Sequence, residues 1–487
     1  MGRFTYELDL PPGLNSDETT FSAKGRWVDG NNVRFSAGKP EVVGVFTKLN
    51  ATQLTGVIWG IYPFSRSDSV SIAYGTASKL YVGVGAAAPD DRTPSGLGTG
   101  WDSWSFASWG ETLLAAPEGG KLYEQSGTGA ATEVTQAPDQ ITFMLVTPER
   151  QVLAFGCNEE VSGTFNGRCI RGSDIEDYTD WTTSSTNNAF EHILDGGSQI
   201  IGARMVGPYV AVWTDTSLYM GQFLGDPSQT YRFDLVANGC GLVGPNAITV
   251  MNGVAYWFGG DFQLRAWAPG SLPTIITCPI RGHMVETILP SLVQARRIHT
   301  CGINRFNEVW IHYPTPIGGY RYIAVCLNDG SWFRGNIART AMVDDAILNA
   351  FLADNHRTTV LAASVDRYIH VHECERTQAS PEGPSWYIQS GDFYIDSSNR
   401  RVMVQRMLPN VTYQNNTINL TLFCRDRPDS SAVAKGPYAI ADGATKVDFR
   451  ASGKVISFKL SDDQTNQIVP PVRLGKPVFD VVPLGER

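Results

Sequence analysis

Charge is the first shortage of this chain. Only 18% of its 487 residues are Asp, Glu, Lys or Arg, below the roughly 25% of an average soluble protein. The balance is acidic, with a formal net charge of −9. That excludes a protein built to grip nucleic acid by its phosphates, which would need a basic patch. A wall past which DNA must slide has the opposite need, because repulsion prevents sticking. Cysteine pairing is also missing. The eight cysteines (Cys157, Cys169, Cys240, Cys278, Cys301, Cys326, Cys374 and Cys424) include no C-x-x-C spacing, so zinc-ribbon and thioredoxin-like readings fail. Several sit among apolar, strand-like neighbours such as Val325 and Leu327, which predicts buried free thiols in a reducing compartment. No apolar run approaches the ~20 residues of a membrane helix, and the residues around Phe4 lack the apolar core of a signal peptide. The expectation is a chain made in a cytoplasm-like compartment and not inserted in a membrane.

Catalytic signatures are absent too: no G-x-S-x-G elbow, phosphate loop, H-E-x-x-H helix or calcium loop occurs. What remains is glycine, proline and rings. The 49 Gly and 27 Pro are scattered, and 12 Trp, 18 Tyr and 22 Phe are too many to leave in water. This composition suits many short strands joined by tight turns.

The strands recur in units. Apolar or aromatic runs at 56–60, 71–75 and 79–83 form one, and 104–109, 112–116 and 121–124 a second. Others fall at 143–155, 200–220, 247–267 and 308–333, with a possible seventh at 358–372. Their spacing, roughly 40–60 residues, lies near that of propeller blades, although no Trp-Asp ending marks them. An all-β fold is expected: a β-propeller-like domain over 51–380, then an antiparallel β-sandwich over 385–487, with a loop-like boundary near Ser380–Pro384. Residues 1–50 read as an extended segment able to order only on a neighbour, with a hairpin turning at Asp29-Gly30 and another turn at Ala37-Gly38. Two short helices are expected, at Ser291–Arg297 and Asp344–Ala353.

Few residues offer chemistry. His370 and His372 share one strand face that Cys374 would continue, a spacing compatible with a metal. No fourth ligand is visible, so polar residues on an exposed face are the expectation. His192, His283, His299, His312 and His356 are isolated. Glu159-Glu160 and the stretch Asp174, Glu176, Asp177, Asp180 read as solvated loops. Trp101, Trp104 and Trp109 suit either a sugar-binding groove or the space between blades, with the core favoured. No catalytic, cofactor or metal residue is assigned, and no cofactor is expected.

Several segments resemble a family of virion proteins of short-tailed bacteriophages, the tail nozzle or head-to-tail connector components. The most distinctive is Arg26-Trp27-Val28-Asp29-Gly30-Asn31-Asn32-Val33-Arg34-Phe35, followed by Gly38-Lys39-Pro40-Glu41. Ser173 to Trp181, Cys240-Gly241-Leu242-Val243 and Phe306-Asn307-Glu308-Val309-Trp310 are others, with Arg425–Pro428 and Gly436–Tyr438 near the end. The resemblance implies a structural, non-enzymatic tail protein. It implies a ring of six copies that continues the channel for double-stranded DNA during DNA ejection. Its partners would be a tail adaptor ring and tail fibres or tailspikes. The alternatives are a receptor- or glycan-binding tail protein, or a propeller hydrolase or lyase.

Overall fold

The computed structural model describes residues 3–19, 22–67, 69–226, 228–288, 291–345, 359–373, 383–395, 400–412, 417–427, 430–463 and 472–484. Among these, seven four-stranded antiparallel sheets follow one another as the blades of a propeller. Blade 1 runs from Ile58–Arg66 to Asp90–Asp91, blade 2 from Trp104–Trp109 to Thr132–Glu133, and blade 3 from Ile141–Val146 to Phe190–Ile193. Blade 4 runs from Ile200–Val206 to Gln229–Asn238, blade 5 from Ile248–Met251 to Thr274–Ile276, and blade 6 from His299–Ile303 to Trp332–Gly335. Blade 7 takes three strands in order, Ala341–Asp345, Thr359–Ala363 and Ile369–His372.

Its fourth strand comes from the other end of the chain. Thr47–Lys48 pairs with Ile369–His372, Thr47 facing Val371 and Lys48 facing His370. The Leu49 amide continues the seal by donating to the Ile369 carbonyl at 2.8 Å. The innermost strand of each blade packs beside the next, and Ala341–Asp345 returns to Ile58–Arg66, so the ring closes. A closed ring leaves no inner sheet edge to pair with other chains.

Blades hold together through apolar faces that alternate along each strand. Ile72, Tyr74, Leu361 and Val371 join blades 7 and 1, and Ala73, Leu80, Trp104 and Leu113 join blades 1 and 2. Each buried Val, Leu, Ile or Phe contributes roughly 1.5–3 kcal/mol. Glycines set how closely blades approach. A Cβ at Gly75 would sit 2.3 Å from the Trp104 ring, whose indole N–H donates to the Thr76 carbonyl at 3.0 Å. Gly241 is tighter still, because a Cβ there would lie 2.0 Å from the Asp215 carbonyl oxygen, a backbone atom that cannot swing aside. Gly241→Ala is therefore expected to cost about 3 kcal/mol, read as a lower urea midpoint. An unchanged midpoint would show that the two loops separate freely.

The C-terminal strands build a sandwich, with the N-terminal segment woven into it. One sheet runs Phe4–Glu7, Val478–Pro483, Val402–Leu408, Val447–Gly453. The second runs Trp27–Asn31, Tyr387–Ser390, Val455–Asp462, Ile418–Arg425, Val433–Ile440. A third small sheet joins Val33–Ser36 and Lys39–Val42 to Arg473–Leu474 and Val411–Thr412. Phe458 centres the core, with Trp27 edge-on at 5.7 Å and Phe479 at the same distance.

Three expectations change here. The segment 1–50 orders on the chain's own C-terminal strands, which supply partners that no local pattern could reveal. For the same reason Asp29-Gly30 is not a turn: Asp29 faces Gln389 and Gly30 faces Ile388 in the second sheet. The chain turns instead at Asn32, whose φ is +55°. The turn at Ala37-Gly38 is present, with φ of +50° and +76°. The last blade strand ends at His372 and the next strand begins at Tyr387, in the sandwich. Of the two helices, Leu292–Ala295 lies inside the expected span. Asp344 instead belongs to the strand Ala341–Asp345, where it faces Val360, and 346–353 lie outside the described residues. Arg281–Thr287 is a helix that the sequence reading missed, held by Met284, which is fully buried.

Candidate functional site

In a four-stranded meander the first and third strands run the same way. The loop joining strands two and three therefore shares a face with the crossover into the next blade. On that face, called the entry face, lies a cleft of about 950 Å³. Its rings are Trp101, Phe165 and Phe262, and its charged rim is Asp102, Glu118, Asp215 and Arg296. Trp101 is fixed by its indole N–H, which donates to the Leu97 carbonyl at 3.0 Å. Gly120 lies so close that a Cβ there would stand 3.2 Å from the Trp101 ring.

The carboxylates are already engaged. Glu118 pairs with Arg296 at 2.9 Å, and Asp102 with Arg297 at 2.7 Å. The Arg297 guanidinium lies over the Trp59 ring, 4.8 Å from its centroid. Burial pushes the Glu118 carboxyl up, Arg296 pulls it back, and Asp102 adds to the rise. With an arginine on Asp102 and on Glu118, and Asp215 accepting from the Ser198 amide and hydroxyl, the rim carboxylates are occupied around flat apolar rings. Such a surface suits ring-shaped, weakly charged ligands better than proton transfer.

The hub of the propeller is filled. All seven inner strands contribute to a central void of only about 480 Å³. Tyr62, Phe106 and Trp104 stack across one side. Met144, Met205, Met251 and Met342 also line it, unbranched side chains that fill irregular gaps. Arg204 enters from blade 4, its guanidinium 4.6 Å from the Phe143 centroid and donating to the carbonyls of Ala203 and Pro245. Burial lowers it to about 10.

A third constellation lies where the Val33–Ser36 hairpin meets blades 6 and 7. Arg34 is fully buried, with its Nε 3.0 Å from Glu308 and an Nη 2.7 Å from Glu373. Its guanidinium lies 3.7 Å over the Phe306 ring, and the Trp310 indole N–H donates to Glu308 at 2.8 Å. Glu373 also accepts the Gly44 amide at 3.1 Å. The two acids hold Arg34 charged despite its burial, while burial raises Glu308 to about 7.

Beside it are the histidines. His370 and His372 share a strand but are 2% exposed, which corrects the expectation of a solvated face. The strand lies between Thr359–Ala363 and the N-terminal closing strand, a cover that sequence spacing cannot show. His370 contacts Asp366 at 3.0 Å, and Phe46 packs against both imidazoles. Cys374 and His356 lie outside the described residues. His312 packs between Trp310 and His299, and the ring nitrogens of His312 and His372 have no hydrogen-bond partner. Burial holds all four imidazoles low, His299 and His370 at about 4. Among the described residues no group of three or more His, Cys, Asp or Glu side chains is placed to hold a metal.

The acidic stretches are turn caps. Asp174 accepts the amides of Ile175 and Asn188, Asp177 caps Thr179, and Asp180 caps Thr182. Glu176 pairs with Arg150, Glu159 accepts from Asn166, and Glu160 accepts the Thr183 amide. The three tryptophans divide: Trp104 is core, Trp109 packs edge-on against Tyr178, and Trp101 lines the cleft. The seven described cysteines are free thiols, six of them buried. Phe165, Phe262, Glu118 and Arg296 were not anticipated. Phe165 opens a strand of blade 3 and the others are single residues outside strands, all brought together only by ring closure.

No family model matches the chain, and no curated protein matches it. Among solved structures, virginiamycin B lyase from Staphylococcus aureus is 13% identical, with a TM-score of 0.43 over 68% of this chain and 99% of that one. The Cps50 (Swd1) β-propeller domain of Myceliophteria thermophila is 11% identical, with a TM-score of 0.41 over 69% and 100%. The WD40 β-propeller domain of Doa1 is 9% identical, with a TM-score of 0.41 over 69% and 99%. At these identities the likenesses bear on the fold alone.

Proposed function

We propose that this chain is a structural virion protein of a short-tailed phage, a nozzle subunit that forms a ring with copies of itself. The observation that carries this reading is where the phage-like segments meet. Arg34, from the segment Arg26 to Phe35, forms its buried ion pair with Glu308, from the segment Phe306 to Trp310. Trp27 of the first segment packs into the sandwich core. Cys240 accepts the Trp257 indole N–H through its carbonyl at 2.9 Å, and Gly241 is wedged against the Asp215–Thr216 backbone. These contacts serve the joints of a rigid body, as suits a part whose task is shape, and only the apolar Leu242 and Val243 of these segments also line the cleft.

The DNA path follows from size. A duplex about 20 Å across cannot pass a hub void of about 480 Å³ lined by all seven inner strands. The conduit therefore runs between subunits, walled by an acidic chain that repels phosphate. Adaptor ring and tail fibres or tailspikes would dock on outer surfaces, and assembly would take place in the host cytoplasm. A second reading has one observation in its favour: the rings of Trp101, Phe165 and Phe262 around the entry-face cleft suit a glycan, as in a receptor-binding tail protein.

The solution mass of the full chain, followed by negative-stain imaging, tests the ring. A closed assembly of six with a lumen of at least about 20 Å is expected. A strict monomer at every concentration, combined with saturable binding of a neutral oligosaccharide, would replace the nozzle reading by the second.

A further inference from the structure

A second large cleft, of about 960 Å³, lies between blade 6 and the second sheet of the sandwich. Its character differs from that of the entry-face cleft, because three cationic side chains enter it: Arg321, Arg334 and Lys459. Its two carboxylates, held within the cleft wall, are outnumbered by these three cations. Asp29 is held by Arg334 at 2.7 Å and by the Tyr387 hydroxyl at 3.1 Å. Asp462 accepts the Trp386 amide at 3.1 Å.

What remains is unpaired positive charge. Among the described residues the Arg321 side chain has no hydrogen bond or ion pair. Lys459 lies 3.8 Å over the Tyr387 ring with no carboxylate partner. One Nη of Arg334 is buried without a hydrogen bond, an expensive state for a charged donor unless a ligand completes it. Nearby groups sense the same field. Burial lowers His283 to about 4, and Arg334 and Arg321 depress it further. Both arginines also pull Tyr313 and Tyr387 downward, against burial. In a chain with a net charge of −9, a half-enclosed cleft with spare guanidinium and ammonium groups is an exception that needs a counter-charge.

We propose that this cleft binds an oxyanion, a phosphoryl or carboxylate group carried by a small polar ligand. Arg321 and Lys459 bind the charge, the free Nη of Arg334 completes the contact, and Asn336 and Tyr387 offer hydrogen bonds to neighbouring hydroxyls. Arginine presents its donors in a planar fork that matches either oxyanion, and lysine supplies a point charge. The site joins two modules, where ligand clefts commonly form. It requires no assembly, so it stands or falls apart from the nozzle reading.

The test is calorimetric titration of the full chain with inorganic phosphate and, separately, with glucuronate, at constant ionic strength set with chloride. At least one anion is expected to bind saturably, at least tenfold more weakly to Arg321→Gln and to Lys459→Gln, with Arg321→Lys intermediate. Phosphate alone would assign a phosphoryl ligand, and glucuronate alone a carboxylate. Thermal melting without anion separates lost binding from lost folding, and either Gln variant suffices if the other fails to fold. No saturable binding of either anion, or equal binding by wild type and both Gln variants, would overturn the proposal.

Discussion

Replacing Arg34 by methionine is expected to destabilise the protein by about 3–5 kcal/mol, the usual cost of breaking a buried ion pair from one side. The guanidinium is 1% exposed and serves two carboxylates, Glu308 at 3.0 Å and Glu373 at 2.7 Å. Methionine fills much of the volume but leaves both acids buried without a counter-ion. Lysine should not rescue, because an ammonium cannot present parallel donors to two acids while stacking on Phe306. The triple change Arg34→Met, Glu308→Gln, Glu373→Gln should recover part of the loss, since the penalty arises from uncompensated charge. Chemical denaturation of the four proteins checks this. A loss below about 1 kcal/mol, the scale of an exposed pair, would mean that water reaches the cluster and the joint is weaker than its geometry.

Acid is expected to act more steeply than on a typical β protein. Four imidazoles, His299, His312, His370 and His372, lie close together and buried. Around them are Arg34, Arg339, Arg204 and Lys48, with Asp366 on the acidic side and Glu308 and Glu373 paired to Arg34. Burial and these cations hold His299 and His370 at about 4, and His312 and His372 well below the usual value. The unfolded chain therefore takes up protons first as pH falls below about 6.5. Stability is complete above that value and is lost as pH drops toward 4. Glu308, raised to about 7, acts in the opposite sense, being protonated earlier in the folded state, but it is one group against four. The net loss should be on the order of 5 kcal/mol, or a Tm lower by roughly 10 °C at pH 4.5 than at pH 7.

The control uses the missing hydrogen bonds. Neither ring nitrogen of His312 or His372 has a partner, so phenylalanine at both positions loses no hydrogen bond and cannot protonate. The double variant should melt as high as wild type at neutral pH and show a flatter acid limb. Parallel acid limbs would place the proton uptake elsewhere.

How much of this was legible beforehand differs by element. Blade strands such as 71–75, 254–258 and 321–327 announce themselves by short-range alternation and turns, and each maps onto a strand of the propeller. Phe4–Glu7 and Trp27–Asn31 do not, because their partners lie more than 350 residues away, at Val478–Pro483 and Tyr387–Ser390. Apart from Trp101, the cleft residues were equally hidden, as Phe165 and Phe262 come to one cleft only after the blades have turned around a common axis. His370 and His372 were visible as a pair, but their burial was not, since it depends on Phe46 and the closing strand.

By itself, then, the sequence determined an all-β chain of recurring strand–turn–strand units with a further β module, because alternation and turn chemistry act over a few residues. The tertiary structure alone decided that seven blades close through Thr47–Lys48, that the N-terminal strands complete the sandwich, and that Arg34 finds Glu308 and Glu373. Those outcomes depend on contacts between residues hundreds of positions apart. Whether such contacts form is set by the entropy of closing long loops against the burial they permit, a balance that no local pattern records.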